Sequence, residues 1–297
     1  LNIVERNFYI YVEIYIRSIF WDLCNYITRK VGKLVMRLAE QVGFAVGSLR
    51  DVEVEDGLER ALEKNYSSVE ICGDESLSDQ GFRGLWPWES KMWDYIEPML
   101  GEFNLTAYHA PYQGLNPLTM NPVIRDAAIK QIKAAIDIAS EMDLSPVIVH
   151  PGLPRENMNE RVERFLIEKF LTEIASYAEE KRVQVAVETC EIFENISILE
   201  EYIAKIDSAY IGICLDLRDD MIKLNDLDNQ KIADFINKAD DRLFHVRLHS
   251  INTELINHEK IVETLAKADY PGAVIFNIYE NDFEQMDKTR QGFYKVG

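Results

Sequence analysis

The residues that could do chemistry in this chain gather where short apolar runs end. His109, His150 and His249 close such runs, and His245 lies within one. Glu70, Glu188, Asp216, Arg247 and Asn277 also come late in theirs. Histidines and carboxylates in one place can move protons or hold a cation. An arginine among them is a fixed positive charge without a lone pair. It can neutralise carboxylates or grip a phosphate or carboxylate in a bidentate fashion. Polar groups clustered in an apolar framework cost desolvation unless they find partners or a use, so a site is expected here.

The elements that must position these residues alternate along the chain. Strands are expected at Val42–Val46, Ser68–Cys72, Leu105–His109, Pro146–His150, Val183–Glu188, Ile211–Asp216, Leu243–His249 and Ala273–Ile278. Helical periodicity is clearest at Pro122–Met142 and Met158–Lys181, with Asn121 as N-cap before Pro122. Asp51–Asp56 reads as a solvated helix start whose acids suit the helix dipole. Eight strands alternating with helices predict an α/β fold, a (β/α)8 TIM barrel with an N-terminal extension. A doubly wound open sheet is the weaker expectation, because no Gly-rich turn follows the first strand. Side chains alternate along a strand. Val246 and Leu248 therefore oppose His245, Arg247 and His249, and Gly212, Cys214 and Asp216 oppose Ile211, Ile213 and Leu215. In a closed barrel the polar set faces inward, and its late members form the mouth.

Composition narrows the function classes. The 297 residues carry 32 bases and 51 acids, a net charge of −19. Five bases and three acids lie in residues 1–35, so residues 36–297 carry −21. Such a surface repels phosphate backbones, and no nucleic-acid partner is expected. The four cysteines form no CxxC pair, which predicts a reduced, cytoplasmic setting. Residues 1–35 are rich in Ile, Tyr and Phe, but Glu13, Arg17 and Asp22 break the run, so no membrane span is expected. The segment reads as a mispredicted start ahead of Met36 or as a docked amphipathic helix. Residues 36–297 are expected to form the barrel.

Ser68-Val-Glu-Ile, Tyr108-His-Ala-Pro-Tyr, Val147-Ile-Val-His-Pro-Gly, Val185-Ala-Val-Glu-Thr, Gly212-Ile-Cys-Leu-Asp and His245-Val-Arg-Leu-His occur in this order on the expected strands. With them, residues 42–290 resemble the xylose isomerase-like TIM-barrel superfamily. That superfamily holds sugar and sugar-phosphate isomerases/epimerases and the endonuclease IV type of DNA-repair enzyme. The resemblance implies a divalent metal (Mn, Mg, Co or Zn) at the mouth. Glu188 and Asp216 match two ligand positions; Arg247 and Asn277 stand at two others, and Asp219 stands where a histidine is usual. His109 and His150 match histidines of the endonuclease branch. Two readings follow. Arg247 takes the place of the cation by pairing Glu188 and Asp216, or a metal is held by Glu188, Asp216, His150 or His249.

By resemblance, the reaction is proton removal beside a sugar carbonyl. Glu188, His249 and His150 are the candidate catalytic groups, with Asp219 and Glu280 as further proton carriers. Glu70, His109, Arg247, Asn277, Trp86 and Trp88 are candidate substrate contacts. Trp86, Trp88 and Trp93, after the second strand, form either a sugar-stacking wall or a plain apolar lid or oligomer contact. A sugar or sugar phosphate is the expected partner, and a homo-oligomer is left open. A non-catalytic ligand-binding barrel is the alternative, and a DNA-repair endonuclease is less favoured.

Overall fold

The computed structural model describes residues 40–46, 53–73, 77–78, 81–82, 85–87, 90–152, 158–190, 196–249, 255–277 and 290–291. The chain divides after Arg37, and an N-terminal extension precedes the first strand. The expectations for residues 1–35, Trp88 and Glu280 lie outside the described residues.

Eight parallel strands close into a barrel: β1 Val42–Val46, β2 Ser68–Cys72, β3 Leu105–His109, β4 Val147–Val149, β5 Val185–Glu188, β6 Ile211–Leu217, β7 Leu243–Leu248 and β8 Ala273–Phe276. Each pairs with its neighbours in sequence, and β8 closes on β1 through Val42–Val274 and Phe44–Phe276. The open-sheet alternative is thereby excluded. Several strands are shorter than expected, so His150, His249 and Asn277 are the first residues beyond theirs. Eight α-helices are assigned among the described residues: α1 Val54–Glu63, α2 Ser90–Leu100, α3 Pro122–Glu141, α4 Glu160–Lys181, α5 Ile196–Ile206, α6 Asp219–Leu224, α7 Asn229–Ala239 and α8 His258–Lys267. None is long and apolar enough to cross a membrane.

Local chemistry explains the helix starts. The Asn121 side chain accepts from the Val123 amide at 3.0 Å, with Pro122 at the first helical position, where its missing N–H costs nothing. Asn159 caps α4 in the same way, and Glu55 and Asp56 occupy the first turn of α1.

Period-two alternation sorts the strand residues as expected. Large apolar side chains such as Phe44, Val69, Ile71, Val187, Ile213, Val246 and Phe276 join the layer between strands and helices. The barrel interior is built from small residues in two clusters. One holds Ala45, Cys72, Ala273 and Ile275, and the other Ala107, Ile148, Ala186 and Cys214. Register shifts by one residue between β6 and β7: Ile213 pairs with Leu243, but Cys214 pairs with His245. Phe244 is skipped and packs against the second interior cluster. Gly212 makes the room, since a Cβ there would meet the Phe244 ring at 2.6 Å. Leu243 and Val246 both join the outer layer, so two residues, Phe244 and His245, lie between them instead of the one that strict alternation allows. The shift lets both face the interior.

Gly43 marks the closest strand approach. A Cβ there would lie 2.0 Å from the Ser68 carbonyl oxygen of the neighbouring strand. Gly43→Ala is expected to cost about 1–3 kcal/mol through forced separation of β1 and β2. Gly101→Ala, whose nearest neighbour would lie at 3.6 Å, should leave stability unchanged. Paired denaturant titrations of the two variants check this.

Candidate functional site

The site grows out of the C-terminal ends of the strands. Glu70 leaves β2 inward because Val69 and Ile71 are committed to the outer layer. Glu188 ends β5, Asp216 lies near the end of β6, and Arg247 faces inward between Val246 and Leu248 on β7. Asp216 and Arg247 are direct cross-strand partners. All four are almost fully buried.

Arg247 is the hub. Its Nη1 donates to Glu188 Oε1 at 3.4 Å and to Asp216 Oδ2 at 3.3 Å. Its Nη2 approaches Glu70 Oε1 at 3.1 Å, an ion pair rather than an aligned hydrogen bond. Each carboxylate also holds a histidine. His245 Nε2 lies 2.8 Å from Glu70, His109 Nε2 lies 3.4 Å from Glu188, and His249 Nε2 lies 2.8 Å from Asp216. His109 Nδ1 faces the Ala110 carbonyl at 2.9 Å. Both ring nitrogens of His109 therefore face acceptors, an arrangement that favours the doubly protonated cation.

The electrostatics follow. Burial pushes the Glu70 carboxyl up, but Arg247 and His245 overcome it and bring its pKa down from 4.5 to about 2. Burial opposes ionisation of Glu188 as well, yet His109 and Arg247 hold it well below the usual carboxylate range. His109 is raised: burial and Arg247 act against its proton, and Glu188 and Glu70 win. Asp216 is raised by burial and by Glu188, against the pull of His249 and Arg247. One strand-end site thus holds carboxylates tuned in opposite directions.

Toward solvent the cluster is topped by partly exposed groups: His249, His150, Tyr112 and Arg218. The Gly152 amide donates to His150 Nδ1 at 3.0 Å. The Tyr112 ring lies between the two histidines of β3 and β4, 5.2 Å from His109 and stacked 5.5 Å from His150. Arg218 Nε sits 3.5 Å from Asp216 and 3.6 Å from Asp220. Thr189 Oγ1 accepts from the Asp216 amide at 2.9 Å and fixes the end of β6. Asn277 is buried, with its side-chain oxygen lacking a hydrogen-bond partner among the described residues.

The structure therefore unites Glu70, His109, Glu188, Asp216, Arg247 and His249 in one contact network and sets His150 beside it through Tyr112. Asp219 is not brought in; it is exposed in the first turn of α6. The tryptophan loop needs correction. Trp93 lies on α2 rather than in a loop, is fully buried, and meets the Tyr108 ring edge-on at 5.1 Å. It belongs to the core because its indole N–H finds the Trp86 carbonyl at 2.9 Å. Trp86 remains half-buried. Sequence reasoning overlooked Tyr112, although it ends the Tyr108-His-Ala-Pro-Tyr motif. It also overlooked Arg218, two residues beyond Asp216 and so on the same side of an extended chain.

The metal implied by the resemblance does not fit this arrangement. The carboxylates surround a planar guanidinium, which cannot coordinate an ion. Among the described residues no group of three or more His, Cys, Asp or Glu is placed to hold one.

The pKa shifts carry a stability signature. Glu70 and Glu188 stabilise the fold in their ionised forms above the ordinary value of 4.5, and that stabilisation is lost as pH falls toward the folded values. For Glu70 alone the shift amounts to roughly 3 kcal/mol. Asp216, shifted upward, offsets part of it. The raised His109 contributes below its ordinary value of 6.5 and loses that contribution as pH rises through the folded value. Melting temperature should fall as pH drops from 4.5 toward about 2. Arg247→Met should cost about 3–5 kcal/mol near neutrality and flatten that acid slope. Calorimetry across the pH series checks both.

Comparison with known proteins agrees with the architecture. An uncharacterized protein of Methanocaldococcus jannaschii is 29% identical over 239 residues, which cover 73% of this chain and 76% of that protein. A solved D-tagatose 3-epimerase-like protein superposes with a TM-score of 0.68 at 22% identity, covering 86% of this chain and 97% of its own. The 3-keto-D-glucoside 4-epimerase of E. coli superposes with a TM-score of 0.67 at 13% identity, covering 86% and 98%. At these identities the superpositions establish the shared fold. The family model for the xylose isomerase-like TIM barrel matches residues 58–294, and the chain belongs to that family.

Proposed function

We propose that this barrel is an isomerase or epimerase acting on a sugar or sugar phosphate, with its proton transfers carried by histidines. The observation that carries the reading is the complementary fixing of two partly exposed histidines at the mouth. His249 Nε2 faces the Asp216 carboxylate at 2.8 Å, so that nitrogen bears the proton and Nδ1 keeps a lone pair. His150 Nδ1 accepts from the Gly152 amide, so in the neutral ring Nε2 bears the proton. One histidine is prepared as a base and the other as an acid.

In the reaction, His249 takes the proton from the carbon beside the carbonyl, and Asp216 stabilises the imidazolium that forms. His150 donates to the carbonyl oxygen as the enediol develops. Return of a proton to the former carbonyl carbon, while the neighbouring hydroxyl gives its proton to His150, yields the isomer; return to the other face of the first carbon, while the enediol oxygen gives its proton back to His150, yields the epimer. Glu188 is less suited to the base role, because His109 and Arg247 stabilise its ionised form and so weaken its basicity. The buried Asn277 oxygen suits a substrate hydroxyl as donor. Arg218, half-buried beside Asp216, suits a phosphate.

A second reading, a non-catalytic sugar-binding barrel, is favoured by Glu188 and Asp216 being engaged by Arg247. Solvent-deuterium exchange into a panel of ketoses, aldoses and their phosphates separates the two. The enzyme reading expects exchange at the carbon beside the carbonyl. It also expects that His249→Gln and His150→Gln each lower kcat about 10²–10⁴-fold, with the folded state intact by circular dichroism. Binding without exchange across the panel would leave the second reading standing.

A further inference from the structure

Four strands bring one cation and three carboxylates to a single point. The Arg247 guanidinium, from β7, lies 3.1–3.4 Å from oxygens of Glu70, Glu188 and Asp216, which come from β2, β5 and β6. His109 and His249 complete the ring of contacts through two of the same carboxylates. Carboxylate oxygens are donors of the type that divalent cations take. Here they converge on a guanidinium that arrives with the chain.

We infer that Arg247 is the resident cation of the site and that it is the group that excludes divalent metals from the wild-type mouth. Metal–ligand bonds of about 2.0–2.6 Å would require the carboxylates to close around a small sphere. The guanidinium holds them apart at hydrogen-bond length and fills the space between them. A metal entering beside it would place two cations in one buried cluster, and expelling Arg247 would strand a buried charge. Arg247 is only 2% exposed, so its charge is already withdrawn from water. Removing its side chain reverses the balance. Three buried carboxylates lose a counter-charge and gain a void, and a divalent ion answers both.

The test uses the full chain and reads metal, not turnover, so it stands apart from the sugar panel. Wild type, Arg247→Ala and Arg247→Lys are stripped with a chelator and then exposed to manganese, zinc, cobalt or magnesium. Bound metal is measured by elemental analysis after desalting, and thermal shift is recorded in parallel. Wild type is expected to retain no metal and show no shift. Arg247→Ala is expected to bind about one equivalent and to melt higher with metal, reversibly on chelation. Arg247→Lys keeps a charge in place and should stay metal-free. If Arg247→Ala is recovered folded only with metal present, that supports the inference. About one equivalent in wild type that returns after stripping would overturn it. So would a folded Arg247→Ala that binds no more metal than wild type. If Arg247→Ala folds under no condition, the wild-type measurement decides alone.

Discussion

A buried guanidinium surrounded by three carboxylates governs the electrostatics at the mouth of this barrel. Burying Arg247 alone, or any of Glu70, Glu188 and Asp216 alone, would cost several kcal/mol per ion. Together they are tolerable because each charge has an opposite within 3.1–3.4 Å. The arrangement also decides which groups remain for work at the mouth. Glu70 and Glu188 are locked in their ionised forms, and His109 is drawn toward its cation. The groups left partly exposed above them are His249, His150, Tyr112 and Arg218.

The framework makes this cluster affordable. The rest of the interior is lined by Ala, Cys and Ile side chains and by Phe244, which the register shift between β6 and β7 turns inward. These apolar side chains lie beside the polar groups, Ala45 level with Glu70 and Ile275 with Arg247, in surroundings where charge–charge attraction is stronger than in water. The large side chains are kept for the layer between strands and helices, where most of the hydrophobic stabilisation arises. Chemistry and stability thus occupy opposite faces of the same strands, and single residues such as Gly43 and Gly212 set how closely those strands meet.

Much of the fold was legible in the residues. Period-two alternation gave the inward face of β7, because Val246 and Leu248 leave His245, Arg247 and His249 no other side. Asn121-Pro122 announced the start of α3. The six short motifs, in order, pointed to the family that the match over residues 58–294 establishes. Trp93 was misplaced because an aromatic near a Gly-Pro-rich stretch looks like a loop residue. Its burial depends on Tyr108, which is distant in sequence and supplies the facing ring. Tyr112 passed unnoticed because a tyrosine after a strand has no signature until His109 and His150 are seen on its two sides.

The sequence by itself determined the alternation of strand and helix and which strand residues face inward. These are local properties, fixed by side-chain type and by the two-residue repeat of a strand. Only the tertiary structure decided that Arg247 reaches three carboxylates rather than two, that Glu188 is paired with His109 and Asp216 with His249, and which partner a ring nitrogen of each mouth histidine faces. Those outcomes depend on ångström-scale distances between strands far apart in the chain, and barrel closure and register set them. No spacing along the sequence encodes a distance across the mouth.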